Sequence, residues 1–270
     1  MILESWSSNW WSDNIMRIVK HKKGQFIVLA TLLVAIMIIS IGTLMYGTVT
    51  YFKHERWQEY LMVIDNIELD SRRVVELSLA NYVLLNGTNN QILVNNLNSW
   101  RTNLTKAYPG FGVALTPSIV NSSCHAYGVN IDYSSGLAYL WNNETSFSAA
   151  NVTFTLDMSS VGLTGYKFLV STFLEARIFN ATWSSNDLVI YLAVYEEGLT
   201  SITNLEESDF SIKDANNSTL PISSLNRVYD KVYGPIYRIY CADVTTNPLS
   251  TQVTVIDARN IKVIANSTVT

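Results

Sequence analysis

The side chains that could do covalent chemistry are few here, and their spacing is thin. Beyond residue 52 there are two histidines, His54 and His125, and two cysteines, Cys124 and Cys241. Cys124 and His125 are adjacent. A nucleophilic cysteine needs a base within hydrogen-bond reach, but neighbours on a strand point to opposite faces. The pair therefore does not read as a catalytic dyad. No GxSxG elbow, HExxH, CxxC or glycine-rich phosphate loop occurs. The chain is expected not to be an enzyme and to need no cofactor. A membrane-tethered enzyme ranks last among the readings.

Oxygen and amide chemistry is more abundant. Glu196, Glu197, Glu206, Glu207, Asp209 and Asp214 fall close together. Such oxygens suit Ca²⁺, but EF-hand spacing is absent, and a solvated acidic loop is the favoured reading. Tyr191, Tyr195, Tyr229, Tyr233, Tyr237 and Tyr240 could stack on glycans. More often such tyrosines fill sheet faces with the hydroxyl at the rim. Asn-x-Ser/Thr sequons begin at Asn86, Asn103, Asn121, Asn143, Asn151, Asn180, Asn216, Asn217 and Asn266. These are candidate N-glycosylation sites, which require an exposed loop on the translocated side of a membrane. Cys124 and Cys241 are a candidate disulfide, because an even count in an oxidising compartment permits pairing. Two separate buried thiols are the alternative.

The element that places all of these is an apolar stretch. Residues 24–52 are 29 consecutive uncharged positions, bounded by Lys23 and Lys53. As a helix they extend about 43 Å, whereas a bilayer core is about 30 Å thick and needs about 20 apolar residues. Arg17, Lys20, Lys22 and Lys23 precede the stretch, which predicts a cytoplasmic N-terminus and residues 53–270 outside. All nine sequons follow the stretch. It is too long for a cleaved secretory signal, and no small-x-small site follows it. A retained single-pass anchor in the cell membrane, with the bilayer as partner, is expected.

Charge bounds the outer part. Of the chain's 18 Lys and Arg, four precede the stretch, as do two of its 22 Asp and Glu, so residues 53–270 carry −6. That excludes a nucleic-acid partner, which needs clustered cations. It suits a solvated extracellular face.

The expected organisation runs in five parts. Residues 1–25 form a cytoplasmic segment, with Trp6, Trp10 and Trp11 at headgroup depth. Residues 26–52 form the membrane helix. Residues 53–108 form a helical stalk, because Trp57, Tyr60, Leu61, Ile64, Ile67, Val74, Tyr82 and Leu85 recur at threes and fours, with Ser71 and Ser78 as small steps. Asn86-Gly87 stops that helix. A second helix is predicted over 90–107, with Leu93, Leu97, Trp100 and Leu104 on one face. From residue 111 the period becomes two and strands are predicted. The run 166–183 is expected to bend or change sheets, dividing a first β region, 109–172, from an immunoglobulin-like β-sandwich, 173–270. The fold class is α+β: a long N-terminal helix, a second helix, then antiparallel sheets.

Three of these features together resemble the archaeal type IV pilin-like surface proteins. The sequence KKGQF at 22–26 is similar to a class III signal sequence, which implies cleavage between Gly24 and Gln25. A long helix, membrane-spanning and then amphipathic, follows it, with an all-β region behind. The acidic residue often found at the fifth mature position of that family is Leu29 here. The resemblance implies a homo-oligomer through the N-terminal helix. Separately, TQVTVIDARNIKVIANS at 251–267 resembles the closing hairpin of bacterial-type Ig-like modules, which implies binding or spacing. The expected function is that of a structural or adhesive surface protein with a cell-surface or glycan partner. The alternative is a ligand- or partner-sensing module working through a separate protein.

Overall fold

The computed structural model describes residues 7–126, 128–245 and 247–270, with backbone path alone for 7–25, 50–57 and 126. The chain divides into two units, Met1–Asp65 and Asn66–Thr270.

The first unit is helical. It holds most of α1 (Ser7–Leu84). Within it Phe26–Val49 is long and apolar enough to cross a membrane, with mean hydropathy 2.7 and no residue buried. Its polar side chains turn back on the helix. Thr31, Thr43 and Thr48 donate their hydroxyls to the carbonyls of Val28, Ser40 and Leu44. An apolar solvent requires this internal satisfaction. Trp6 lies outside the described residues. Gly24 and Gln25 lie on the backbone path of α1.

The second unit begins with the last turns of α1. Ile67, Ser71, Val75, Ser78, Leu79, Tyr82 and Val83 are buried, at helical spacing. This face differs from the expected one: Leu61 and Leu85 are exposed, and Val75, Leu79 and Val83 carry the contact instead. Helix α2 (Ile92–Ala107) buries Leu93, Leu97 and Leu104. The two helices of this unit are keyed by the serines. Trp100 Nε1 donates to Ser71 Oγ at 3.3 Å, and Asn96 Nδ2 donates to Ser78 Oγ at 2.9 Å. Small side chains let the helices approach and leave an acceptor facing the partner. α1 ends where expected. Asn86 and Gly87 take φ of +52° and +71°, and Gly87 N–H donates to Tyr82 O.

The strands then follow. They are β1 (Val113–Ile119), β2 (Ser123–Ala126), β3 (Val129–Asp132), β4 (Leu137–Leu140), β5 (Thr145–Met158), β6 (Leu163–Ser184) and β7 (Asp187–Glu196). Next come β8 (Thr200–Ser201), β9 (Phe210–Asp214), β10 (Thr219–Leu220), β11 (Ser224–Asp230), β12 (Gly234–Cys241), β13 (Ser250–Ile256) and β14 (Lys262–Thr268). The large sheet has the order β1-β5-β6-β7-β12-β11, with β4 also on β5 and β8 on β7. A second sheet runs β10-β9-β13-β14, and β2-β3 form a ribbon. Pairing is antiparallel throughout these sheets. The fold is thus α+β, and β14 lies against β5 and β6.

β6 is one 22-residue strand. The boundary expected between 172 and 173 falls in its middle, and both halves belong to the large sheet. Residues 172–176 are all buried, so both faces are covered there, and the run stays in one sheet where a bend or a change of sheet was expected. Its adjustment is a bulge against β7, between Ile178 and Asn180. β5 also begins earlier than its apolar run suggests. Ser146 and Ser148 are fully buried, because their hydroxyls donate to Asn143 O and Lys262 O. β11 has no sequence forecast, since its central residues 226–229 are exposed and it forms the sheet edge.

One glycine is decisive. A Cβ at Gly87 would sit 2.2 Å from the Tyr139 ring, at a φ of +71°. The left-handed backbone alone costs a β-carbon about 1–3 kcal/mol. Gly87→Ala is expected to lower the urea midpoint of the purified full chain by at least that equivalent. An unchanged midpoint contradicts the packing of Tyr139 on this turn.

Candidate functional site

The ribbon β2-β3 separates Cys124 from His125. Cys124 packs on the buried cluster of Ile131, Tyr133, Phe147 and Phe173. His125 is exposed, with Nδ1 2.9 Å from Asn130 Oδ1. The two side chains do not meet, as strand geometry anticipates. Cys241 ends β12, fully buried in the large sheet. The candidate bridge is not formed, and both thiols are free. The two cysteines belong to different sheets, and each is held by its own apolar neighbours. Burial, with the Glu207 charge added, pushes the Cys241 thiol up to about 11, which suppresses its thiolate. A maleimide is expected to label the native protein at Cys124 alone and to reach Cys241 only in denaturant. Absence of labelling without reductant in denaturant would instead reveal a disulfide.

The acidic residues do not act as one loop. Glu206 and Asp209 close a capping box around a single turn, with Glu206 N–H donating to Asp209 Oδ2 at 2.7 Å. Asp214 Oδ1 accepts from Asn216 N–H and Ser218 N–H, fixing the β9-β10 turn. Glu197 enters an ion-pair hub. Arg259 donates to Glu197 Oε1 at 2.6 Å, Asp257 Oδ2 at 2.7 Å and Phe173 O at 3.2 Å. Glu197 Oε1 also accepts from Phe173 N–H at 2.8 Å. The hub thus ties the β13-β14 turn to β6 just where β7 stops pairing. Burial pulls the Arg259 guanidinium down, but Asp257 and Glu197 outweigh it and hold the group firmly charged. Glu76 feels this hub. Burial pushes its carboxyl up, with Arg259 opposing.

The tyrosines divide between the two faces of the large sheet. Tyr237 is buried on the inner face beside Phe210, at 5.2 Å between ring centres, and accepts Leu205 N–H. Tyr191, Tyr195 and Tyr233 belong to the other face, packed with Phe179, Ala193 and Ile236. Tyr233 stacks on Phe179 at 3.8 Å, and Tyr195 donates its hydroxyl to Tyr233 O. Tyr229 is exposed and Tyr240 half-buried. No continuous row of six tyrosines exists. The same face carries Glu175, fully buried opposite Tyr195. Its Oε1 accepts from Arg177, while Oε2 has no partner. Burial raises the Glu175 carboxyl, with Arg177 opposing.

A carboxyl raised in the fold binds its proton more tightly there than in the unfolded chain. Its contribution to stability is full below the ordinary carboxylate range and is lost as pH rises through the folded value. Glu175→Gln is therefore expected to flatten the fall in melting temperature above about pH 4.5. A variant curve parallel to that of the unmodified protein would show that Glu175 does not titrate in this way.

One surface cleft, of about 280 Å³, is formed by residues 142–144, Ser250 and residues 266–268. It offers amides, hydroxyls and one carboxylate, from Glu144. The backbone joins its two walls: Asn142 N–H donates to Ile264 O, and Asn266 N–H to Asn143 O. Such a set can hold a hydroxylated ligand by hydrogen bonds. It contains no nucleophile–base pair. Sequence reading missed it, because Asn142 and Asn266 lie 124 positions apart. Two of its members, Asn143 and Asn266, had been noticed only as sequons. Among the described residues no three His, Cys, Asp or Glu converge as a metal set.

No family model, curated protein or solved structure matches this chain.

Proposed function

We propose that the protein is a single-pass membrane-anchored surface protein with a structural or adhesive role, its N-terminus cytoplasmic and its β-rich unit outside the cell. The observation that carries this is Phe26–Val49: 24 residues, mean hydropathy 2.7, none buried by the chain's own fold. Exposed apolar surface of this extent in water would drive association. A bilayer, or the helices of other copies, removes it. Four cations before the helix and nine sequons after it support the orientation.

The two stacked groups of antiparallel strands serve as an Ig-like sandwich region. The polar cleft supports a glycan or cell-surface partner better than a catalytic role. Assembly in the pilin manner rests on KKGQF and the helix behind it. In that mode Gln25 is the mature first residue, and α1 packs against α1 of other copies.

The test uses native membranes. The protein is expected to stay in the pellet through alkaline carbonate and to leave it in detergent. Protease added outside intact cells is expected to cut beyond residue 52. Extraction by carbonate overturns the anchor, and protection of the β-rich unit overturns the orientation. Intact mass then decides assembly: a start at Gln25 supports the pilin-like mode, and a start at Met1 leaves a plain signal-anchor.

A further inference from the structure

We propose that Asn86 carries an N-linked glycan, with Tyr139 and Trp141 as the seat of its first sugar. This rests on the extracytoplasmic placement of the β-rich unit.

The nine sequons are not equivalent in the fold. Asn151 lies in β5, between β1 or β4 and β6, and its Oδ1 is buried. Asn266 lies in β14 with its Oδ1 likewise buried. Neither stands in an exposed loop, the setting in which a sequon is used. Asn143 is exposed, but its Nδ2 donates to Trp141 O at 3.0 Å.

Asn86 is presented differently. It is exposed, stands just past the end of α1, and adopts a φ of +52°. Its Oδ1 accepts from Lys262 Nζ at 2.8 Å. An ammonium can only donate, so this contact fixes which end of the amide faces Lys262. Nδ2, the atom that N-glycosylation modifies, faces away. The sequon's Thr88 lies in the same turn, its hydroxyl on Leu85 O at 2.9 Å. Asn121 shares part of this arrangement, with its Oδ1 held by Ser135 N–H at 2.6 Å.

An aromatic pair stands beside Asn86. Tyr139 fills the space that a side chain on Gly87 would take, yet it keeps 41% of its surface exposed. The Trp141 ring lies 4.8 Å from it, and Lys262 Nζ lies 4.8 Å over Trp141. A pyranose presents a face of C–H groups that packs on such rings, while its hydroxyls reach the Lys and Tyr rim.

The transfer balances as follows. Asn86 Nδ2 bonds to the anomeric carbon of a sugar activated as a phosphate ester of a lipid carrier. The bond from that carbon to the phosphate oxygen breaks, and the carrier phosphate leaves with the electron pair. One amide proton passes to a base of the membrane-bound transferase. The amide oxygen is untouched, so the Lys262 contact survives modification.

Full-length protein purified from its own membranes would be digested and its glycopeptides quantified by mass spectrometry. Asn86 is expected to be modified in most molecules, and Asn151 and Asn266 to be bare. A bare Asn86 overturns the proposal, as does Asn151 modified as often as Asn86. If every sequon is bare, external proteolysis separates the causes. A β-rich unit cut from outside condemns the glycan alone, whereas a protected one condemns the topology with it. For the seat, enzymatic removal of the glycan is expected to shift tryptophan emission in the unmodified sequence and not in Trp141→Phe. An equal shift, or none, in both overturns the seat.

Discussion

The β-rich unit depends on the full enclosure of β6. Five consecutive residues, 172–176, are buried, so this strand has no solvent face over its middle. Its edges are equally occupied. β5 pairs Leu163 to Arg177 on one side, and β7 pairs Leu174 to Ser184 on the other. Where β5 ends, other parts of the chain continue the ladder. Ile178 N–H donates to Glu144 O, Trp183 N–H to Thr270 O, and Thr270 N–H to Ala181 O. Where β7 has not yet begun, Glu197 and Arg259 take up the N–H and C=O of Phe173. A buried backbone must find partners along its whole length. That demand brings a turn, an ion pair and the last residue together around one strand.

The same demand explains the polar groups in the interior. Ser146 and Ser148 are fully buried because each hydroxyl meets a carbonyl. The Ser148 bond reaches 114 positions along the sequence to Lys262. It ties β5 to the first residue of β14 with a single hydroxyl, and Trp141 Nε1 donates to that same oxygen at 3.1 Å. Arg259 is a stronger version of this device. Two carboxylates on one guanidinium fix the β13-β14 turn against β6, a geometry Arg's planar fork suits and Lys does not. Glu175 is the exception. One of its oxygens is unmet in a buried site, and burying a charge without full compensation is costly. Arg177 stands beside it and meets the other oxygen.

What could be read from the sequence followed from periodicity, and what could not followed from its absence. The stop at Asn86-Gly87, the α2 face of Leu93, Leu97 and Leu104, and the small steps at Ser71 and Ser78 all rest on spacing within one element. Each has its counterpart in the structure. β6 was recognised as a run and expected to bend or change sheets; it stays in one sheet, and with both faces of its middle buried it has no alternation to mark its setting. β11 was passed over for the opposite reason: an edge strand with exposed residues carries no apolar signal. The cleft and the Arg259 hub unite positions more than 60 apart. No local pattern marks them, since their partners are chosen by the topology.

α1 shows how one type of element can be written for two solvents. From Phe26 to Val49 it is apolar on every side, and every turn is exposed in the structure. From Ile67 to Val83 the buried residues form one stripe, while Leu69, Arg73 and Leu77 stay outside it. An all-round apolar surface fits a medium without water, and a stripe fits a protein face on one side and water on the other. The polar residues change role accordingly. Thr31, Thr43 and Thr48 close on their own helix, and so does Ser78, whose hydroxyl donates to Val74 O at 2.6 Å, but Ser71 and Ser78 also accept donors from α2. A back-bond satisfies a hydroxyl without a neighbour, while in a packed interface its oxygen becomes a point of register. What Ser78 adds to its back-bond is therefore an acceptor for α2: one oxygen donates along its own helix and receives the Asn96 amide from the next.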